Sequence, residues 1–325
     1  MPPSAPSACA GCPRQPDRIV RTDVPGATGA LPPLPGVYRF RDRRDRVLYV
    51  GRAADLRSRV RSYWGSLPER RHLRRMVSQV ERIEAIVCQS RHEAAWLERS
   101  VLEHRMPRWN RTPGGQELPV WLRVTDRSVE LDHMGIPGGD RFGPYLGVAQ
   151  ARGAAEALDR VYPFRFAVAR TGAERDMARI RGVTPTDGPR LRASVMAVLS
   201  GDPTAAAQAT AELLVRRQRA VDVLDFERAG IIQRELDGLS WILEPSRVVD
   251  GGPDLDAHGW ADGMLVTFQL RGGRIADWLV HPASETQARP LVTATPDPWR
   301  TFATDNAVLA AALGRDATWL CGTYT

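Results

Sequence analysis

The sequence predicts an α+β protein: a small three-stranded antiparallel sheet flanked by helices, then a helical region with an αα-hairpin, then a C-terminal β-hairpin segment. Three observations carry this reading. Short β-type runs alternate with helical stretches between residues 36 and 87, helical periodicity dominates residues 173–244, and "GMLVTFQL" and "RIADWLV" alternate in polarity about a Gly-rich turn.

Taken in order, residues 1–33 are rich in Pro, Ala, Gly and Ser without periodicity and read as a disordered leader. "GVYRF" and "RVLYV" flank the charged turn "RDRRD", which makes a hairpin. A helix over 54–63, a second near 69–80 and a strand at "IEAIVCQ" follow. Ser90 and Glu93 have the spacing of a capping box, so a helix starts at Arg91, with Ala94, Leu97 and Val101 as its buried stripe and Glu98 at the edge. A carboxylate on that border must stay solvated, pair with arginine or hold a metal. Residues 34–112 form the first folded domain. Residues 113–202 make a connector, a small β region ("VWLRVT", "SVELD") followed by helices, the first over 149–161. Residues 203–245 split at Asp225 into a hairpin of two helices. Residues 246–325 hold the β-hairpin and a last helix near 307–313.

Composition narrows the function. With 43% hydrophobic residues the chain of 325 can bury ordinary cores. It has no apolar run of membrane-spanning length and no secretory pattern, so the expected location is cytoplasmic. Four cysteines are too sparse for a disulfide framework, and Cys9 and Cys12 lack the second ligand pair of a zinc site. The net charge of +7 is made without lysine. From Tyr38 to Arg82 there are 14 Arg against 5 Asp plus Glu, so the positive charge is concentrated in one block that also holds Tyr38, Tyr49 and Tyr63. A local excess of this size beside aromatic rings favours a polyanion, and nucleic acid is the usual one.

"PGVYRF", "VLYVGRA", "LRSRVRSYW", "HEAAWLE" and "PRWN" resemble, in order and spacing, the GIY-YIG nuclease domain of the UvrC excinuclease family. "FGPYLG", "RVYPFRF", a UVR-like "DFERAGIIQREL" and "RGGRI" follow in the order of that family. Asn occurs only twice in the chain, and Asn110 falls where the family motif needs it. The resemblance implies a metal-dependent DNA endonuclease making the 3′-side incision of nucleotide excision repair. Its implied catalytic set is Tyr38, Tyr49, Arg59, Tyr63, Glu98 and Asn110. Glu98 would hold one Mg²⁺ or Mn²⁺ stabilising the leaving oxygen, and Tyr38 would orient or deprotonate the water, its phenol lowered by nearby arginines. Arg52, which stands where the family usually has lysine, together with Arg57, Arg61 and Trp64, would contact DNA, with Trp64 and Trp109 available to stack on a base. Leu224, Phe226, Ile231 and Leu236 of the hairpin would dock the helicase partner UvrB.

Departures from the family pattern matter as well. No cysteine lies between 89 and 320, so no iron-sulfur cluster is expected. The stretch after Asp250 is too short for the RNase H-type nuclease and helix-hairpin-helix pair of that family, so one kind of cut is expected. The alternatives are a structure-specific nuclease independent of UvrB and a non-catalytic regulator that binds DNA or UvrB.

Overall fold

The computed structural model describes residues 28–65, 73–110, 118–134, 140–248 and 251–315. Cys9 and Cys12 and most of the predicted leader lie outside them. The first sheet is antiparallel with order β2-β1-β3, from β1 (Gly36–Arg41), β2 (Val47–Ala53) and β3 (Arg82–Val87). Alternation along β1 sends Tyr38 and Phe40 to one face and Val37 and Arg39 to the other. The first face packs on α1 (Leu56–Arg61), the 3-10 turn Ser62–Trp64 and α2 (Arg74–Val77). Asp55 caps α1 by accepting from Ser58 N, which starts that helix two residues later than predicted, and α2 is shorter than the predicted 69–80 helix, whose first residues are outside the described ones.

The predicted leader ends earlier than residue 33. Leu31 is fully buried in the first core, and its carbonyl accepts from Arg57 Nε at 2.7 Å. Burying one leucine contributes roughly 2 kcal/mol toward ordering this short segment, which also gains backbone bonds. Arg57 therefore helps to hold this segment, while its side chain stays exposed.

Helix α3 (Arg91–His104) covers the opposite face of the sheet. Ser90 caps it through Glu93 N, but the Glu93 carboxylate accepts from Gln89 N and pairs with Arg247 rather than closing the box on Ser90. The helix is also buried more widely than one stripe: His92, Glu93, Ala95, Trp96, Ser100 and Leu102 join Ala94, Leu97 and Val101. His92, Ala95 and Trp96 pack toward Pro144, Tyr145, Leu146 and Trp241, and much of the remaining cover comes from the C-terminal region. It is a complete antiparallel sheet, β7 (Leu255–Ala261), β8 (Met264–Arg271) and β9 (Arg274–Pro282), with α9 (Glu285–Ala294) and α10 (Asp297–Arg315), where the sequence predicted a hairpin and one short helix. Val37, Val50 and Ile86 of the first sheet and Leu97 and Val101 of α3 share one core with Val266, Phe268, Trp278 and Phe302.

Between these parts lies a second unit. Strands β4 (Pro119–Val124), β5 (Val129–Asp132) and β6 (Asp140–Leu146) form a sheet of order β5-β4-β6. Helices α4 (Val148–Val161), α5 (Gly172–Arg181), α6 (Gly188–Leu199), α7 (Pro203–Asp222) and α8 (Phe226–Ile242) complete it. One core runs from Val120 and Leu122 through Leu158 and Val195 to Leu213, Leu236 and Leu239, crossing the predicted line at 202/203. Close helix packing is allowed by Gly153 of α4 and Gly238 of α8: a Cβ on Gly238 would lie 2.6 Å from the Gln150 carbonyl.

Candidate active site

The three tyrosines of the basic block converge on the first face of the sheet. β1 carries Tyr38, β2 carries Tyr49, and the 3-10 turn after α1 carries Tyr63. Their rings lie 5.9–6.2 Å apart, and the Tyr38 and Tyr63 hydroxyls are hydrogen-bonded at 2.7 Å. Arg59 of α1 points Nε at the Tyr38 hydroxyl at 3.4 Å and sits 5.6 Å from the Tyr63 ring centre. Gly51 is what lets the rings meet. A Cβ there would lie 2.5 Å from the Tyr38 hydroxyl and 2.8 Å from the Tyr49 ring.

Glu98 approaches from the other face, around the free edge of β2. Its carboxylate accepts from Arg52 N at 3.2 Å and faces Arg52 Nε at 3.3 Å. It is close enough to Tyr49 to help raise that phenol, after burial and Tyr63. The outward backbone groups of β2 are taken up one after another: Trp109 N donates to Leu48 O, Asn110 bridges both groups of Val50, and Glu98 takes Arg52 N. An edge strand so covered is neither a pairing hazard nor mobile in register. Asn110 spends its amide here, accepting from Val50 N at 3.0 Å and donating to Val50 O at 2.8 Å. It holds the strand bearing Tyr49 and Arg52.

The lowered phenol expected of Tyr38 is not what the structure gives. The residue is fully buried, with 0% of its surface exposed. Burial first, and then Tyr63 and Tyr49, hold its phenol well above the ordinary value, and the opposing pull of Arg59 is smaller. The sequence suggested that arginines would lower it. What composition could not show is that Arg39, Arg41, Arg46 and Arg82 are neutralised locally by Glu84, Asp45, Asp42 and Asp277, so their charge does not reach the tyrosines. Tyr49 is half-buried and Arg52 exposed, so these two, with Arg59 and Glu98, are the groups that face water. Arg61 is exposed, as are Arg43, Arg44, Arg74 and Arg75, and among the described residues none of the five makes a salt bridge with a carboxylate. Trp64 packs edge-on against Phe40 at 5.7 Å and is half-buried, and Trp109 packs on the same core.

At the hairpin tip Leu224 and Phe226 are 73% and 65% exposed. Ile231 is half-buried and Leu236 only 7% exposed within the second core, so Leu236 faces inward and not toward a partner.

The sheet with its flanking helices, the tyrosine cluster on one face and the single carboxylate at a strand edge define a small α+β domain with one polar site. Residues 34–111 match the UvrC-like GIY-YIG domain family. Over 267 residues the chain is 32% identical to UvrABC system protein C of Gemmatimonas aurantiaca, covering 75% of this chain and 43% of that protein. Over 292 residues it is 32% identical to UvrABC system protein C of Mycobacterium tuberculosis, covering 80% and 44%. A solved structure of the GIY-YIG N-terminal endonuclease domain of UvrC from Thermotoga maritima, bound to magnesium, is 31% identical and covers 25% of this chain and 86% of that one, with a TM-score of 0.23. The chain is a UvrC-like protein with a GIY-YIG domain, and it spans less than half of the length of the curated relatives it matches.

Proposed function

We propose that this chain is a metal-dependent DNA endonuclease of nucleotide excision repair, working with a UvrB-type partner. The observation that carries the reading is the meeting of Glu98, Arg52, Arg59 and three tyrosines around Gly51 at one edge of the sheet. A phosphodiester presented there meets two guanidinium groups at its non-bridging oxygens, which is where charge accumulates as water adds to phosphorus. The new P–O bond forms as the bond to the 3′ oxygen breaks, leaving a 5′ phosphate and a 3′ hydroxyl.

Among the described residues no three His, Cys, Asp or Glu side chains converge to cage a metal. The donor set at this edge is a single partly exposed carboxylate, which fits Mg²⁺ or Mn²⁺ keeping most of its water. Glu98 is the residue that would hold the ion, and a bound ion supplies charge stabilisation at the leaving oxygen. Tyr49 is the phenol that faces the reacting water. Tyr38, neutral and out of solvent, positions Tyr63 and Arg59. Arg61 and the neighbouring arginines steer the DNA backbone. Leu224 and Phe226 offer the apolar tip for the partner, a surface supported by their exposure.

The test is cleavage of nicked or damaged duplex with Mg²⁺ by the chain and by Glu98→Gln, with and without the UvrB-type protein. Loss of metal-dependent cutting in the variant supports the nuclease, and DNA binding without cutting by the parent overturns it. Cutting indifferent to the partner removes that part of the reading.

A further inference from the structure

The chain has two asparagines, and both do the same thing at opposite edges of one sheet. Asn110 clips the β2 edge at Val50. Asn306, on α10 and 1% exposed, clips the β3 edge at Val87: its Oδ1 accepts from Val87 N at 2.7 Å, and its Nδ2 donates to Val87 O at 3.3 Å and to Phe302 O at 3.0 Å. A buried amide with every polar atom matched to backbone fixes register more strictly than apolar packing does.

The second tie is charged. Arg39, 2% exposed, leaves β1 beside Tyr38 and reaches the C-terminal sheet. Its guanidinium pairs with Glu84 and with Asp277 at 2.8 Å, donates to the Trp278 carbonyl, and lies 3.9 Å from the Trp278 ring centre. A buried guanidinium left without these partners is strongly unfavourable, so β1 and β9 form and separate together. The segment just beyond Val87 is bound as well, since Cys88 N donates to Pro35 O, and it leads directly into α3, which carries Glu98.

We propose that the C-terminal unit, residues 255–313, is the floor of the nuclease half, and that Asn306 and Arg39 are positioning residues that set β1, which carries Tyr38, its neighbour β3, and the entry to the helix of Glu98. Their effect on cleavage rests on the nuclease reading; the mechanical coupling does not.

Two readouts on the full chain keep the two claims apart. In hydrogen exchange, Asn306→Ala accelerates amides between residues 84 and 98 by about tenfold while the α7–α8 hairpin is unchanged. In cleavage at a temperature where circular dichroism is native, kcat falls about tenfold with DNA affinity within twofold of the parent. Asn306→Leu, of equal size without the amide, restores packing but neither readout. If Asn306→Ala fails to fold, Asp277→Asn at the half-exposed rim of the Arg39 tie gives the same pattern more weakly. Unchanged exchange at 84–98, or full rescue by leucine, overturns the coupling. Altered exchange with undiminished kcat overturns the positioning role. If the parent does not cut, the nuclease reading fails and the exchange arm still decides the coupling.

Discussion

The Tyr38 hydroxyl shares its hydrogen bond with Tyr63 at 2.7 Å in a space closed to solvent. Burial raises the phenol of Tyr38, with Tyr63 and Tyr49 adding to it. A group whose folded pKa is raised gives stability that is complete below its unfolded value and is lost as pH climbs above it. The chain therefore loses stability from about pH 10 upward, the reference value of an unfolded phenol. Tyr38→Phe flattens that loss in denaturant melts taken across the alkaline range. A Tyr38→Phe variant with the same alkaline slope as the parent removes the assignment.

Gly51 is the tightest point of the site, and its tolerance is a direct measure of the tyrosine cluster. Gly51→Ala forces a methyl into the Tyr38 hydroxyl and the Tyr49 ring. Overpacking of this kind costs about 1–3 kcal/mol. The expected result is a folded protein with a lower melting temperature and cleavage reduced by about 100-fold or more, because the rings and Arg59 are displaced together. Wild-type cleavage in this variant means that the cluster does not take part.

Much of this site was legible in the sequence, and the reasons differ by residue. Motif order singled out Tyr38, Tyr49, Tyr63, Arg59, Glu98 and Asn110, and the structure brings them to one end of the sheet. Arg39, Glu84 and Asn306 were not found. Charge counting treats an arginine within a basic block as surface, and nothing local distinguishes one that a strand 238 residues away will bury. The same blindness misplaced Leu236, since helical spacing marks an apolar face without saying what covers it. Gly51 was inside a quoted motif, and its position on a strand next to Tyr49 was a signal that could have been used, since it sits directly across from Tyr38.

His92 gives an acid limit. It is buried at the start of α3, where its ring accepts from Trp96 Nε1 at 3.2 Å and packs 4.9 Å from Trp241. Burial, partly opposed by Glu244, lowers its pKa to about 4. A depressed histidine gives stability that is present above its unfolded value and is lost as pH falls toward the folded one, here between about 6.5 and 4. The shift corresponds to roughly 3 kcal/mol. His92→Gln loses that pH dependence in urea melts across the window, whatever its own baseline stability; an unchanged acid slope removes histidine from the account.

The hairpin separates partner contact from folding within a single element. Leu236 and Phe226 lie on the same helix ten residues apart, yet one is in the core and the other in water. Leu236→Ala opens a cavity against α4 and α7 and is expected to cost about 2–5 kcal/mol. Phe226→Ala removes an exposed ring and is expected to leave stability within about 0.5 kcal/mol, because the folded state gains little from a side chain it leaves solvated. The paired measurement is a chemical melt alongside binding to the UvrB-type protein. Phe226→Ala, alone or with Leu224→Ala, weakens binding by about tenfold or more with an unshifted melt, as expected for an aromatic anchor at an interface. A tip variant that binds like the parent leaves the hairpin as a purely internal element, and a tip variant that melts early contradicts the exposure on which the docking surface rests.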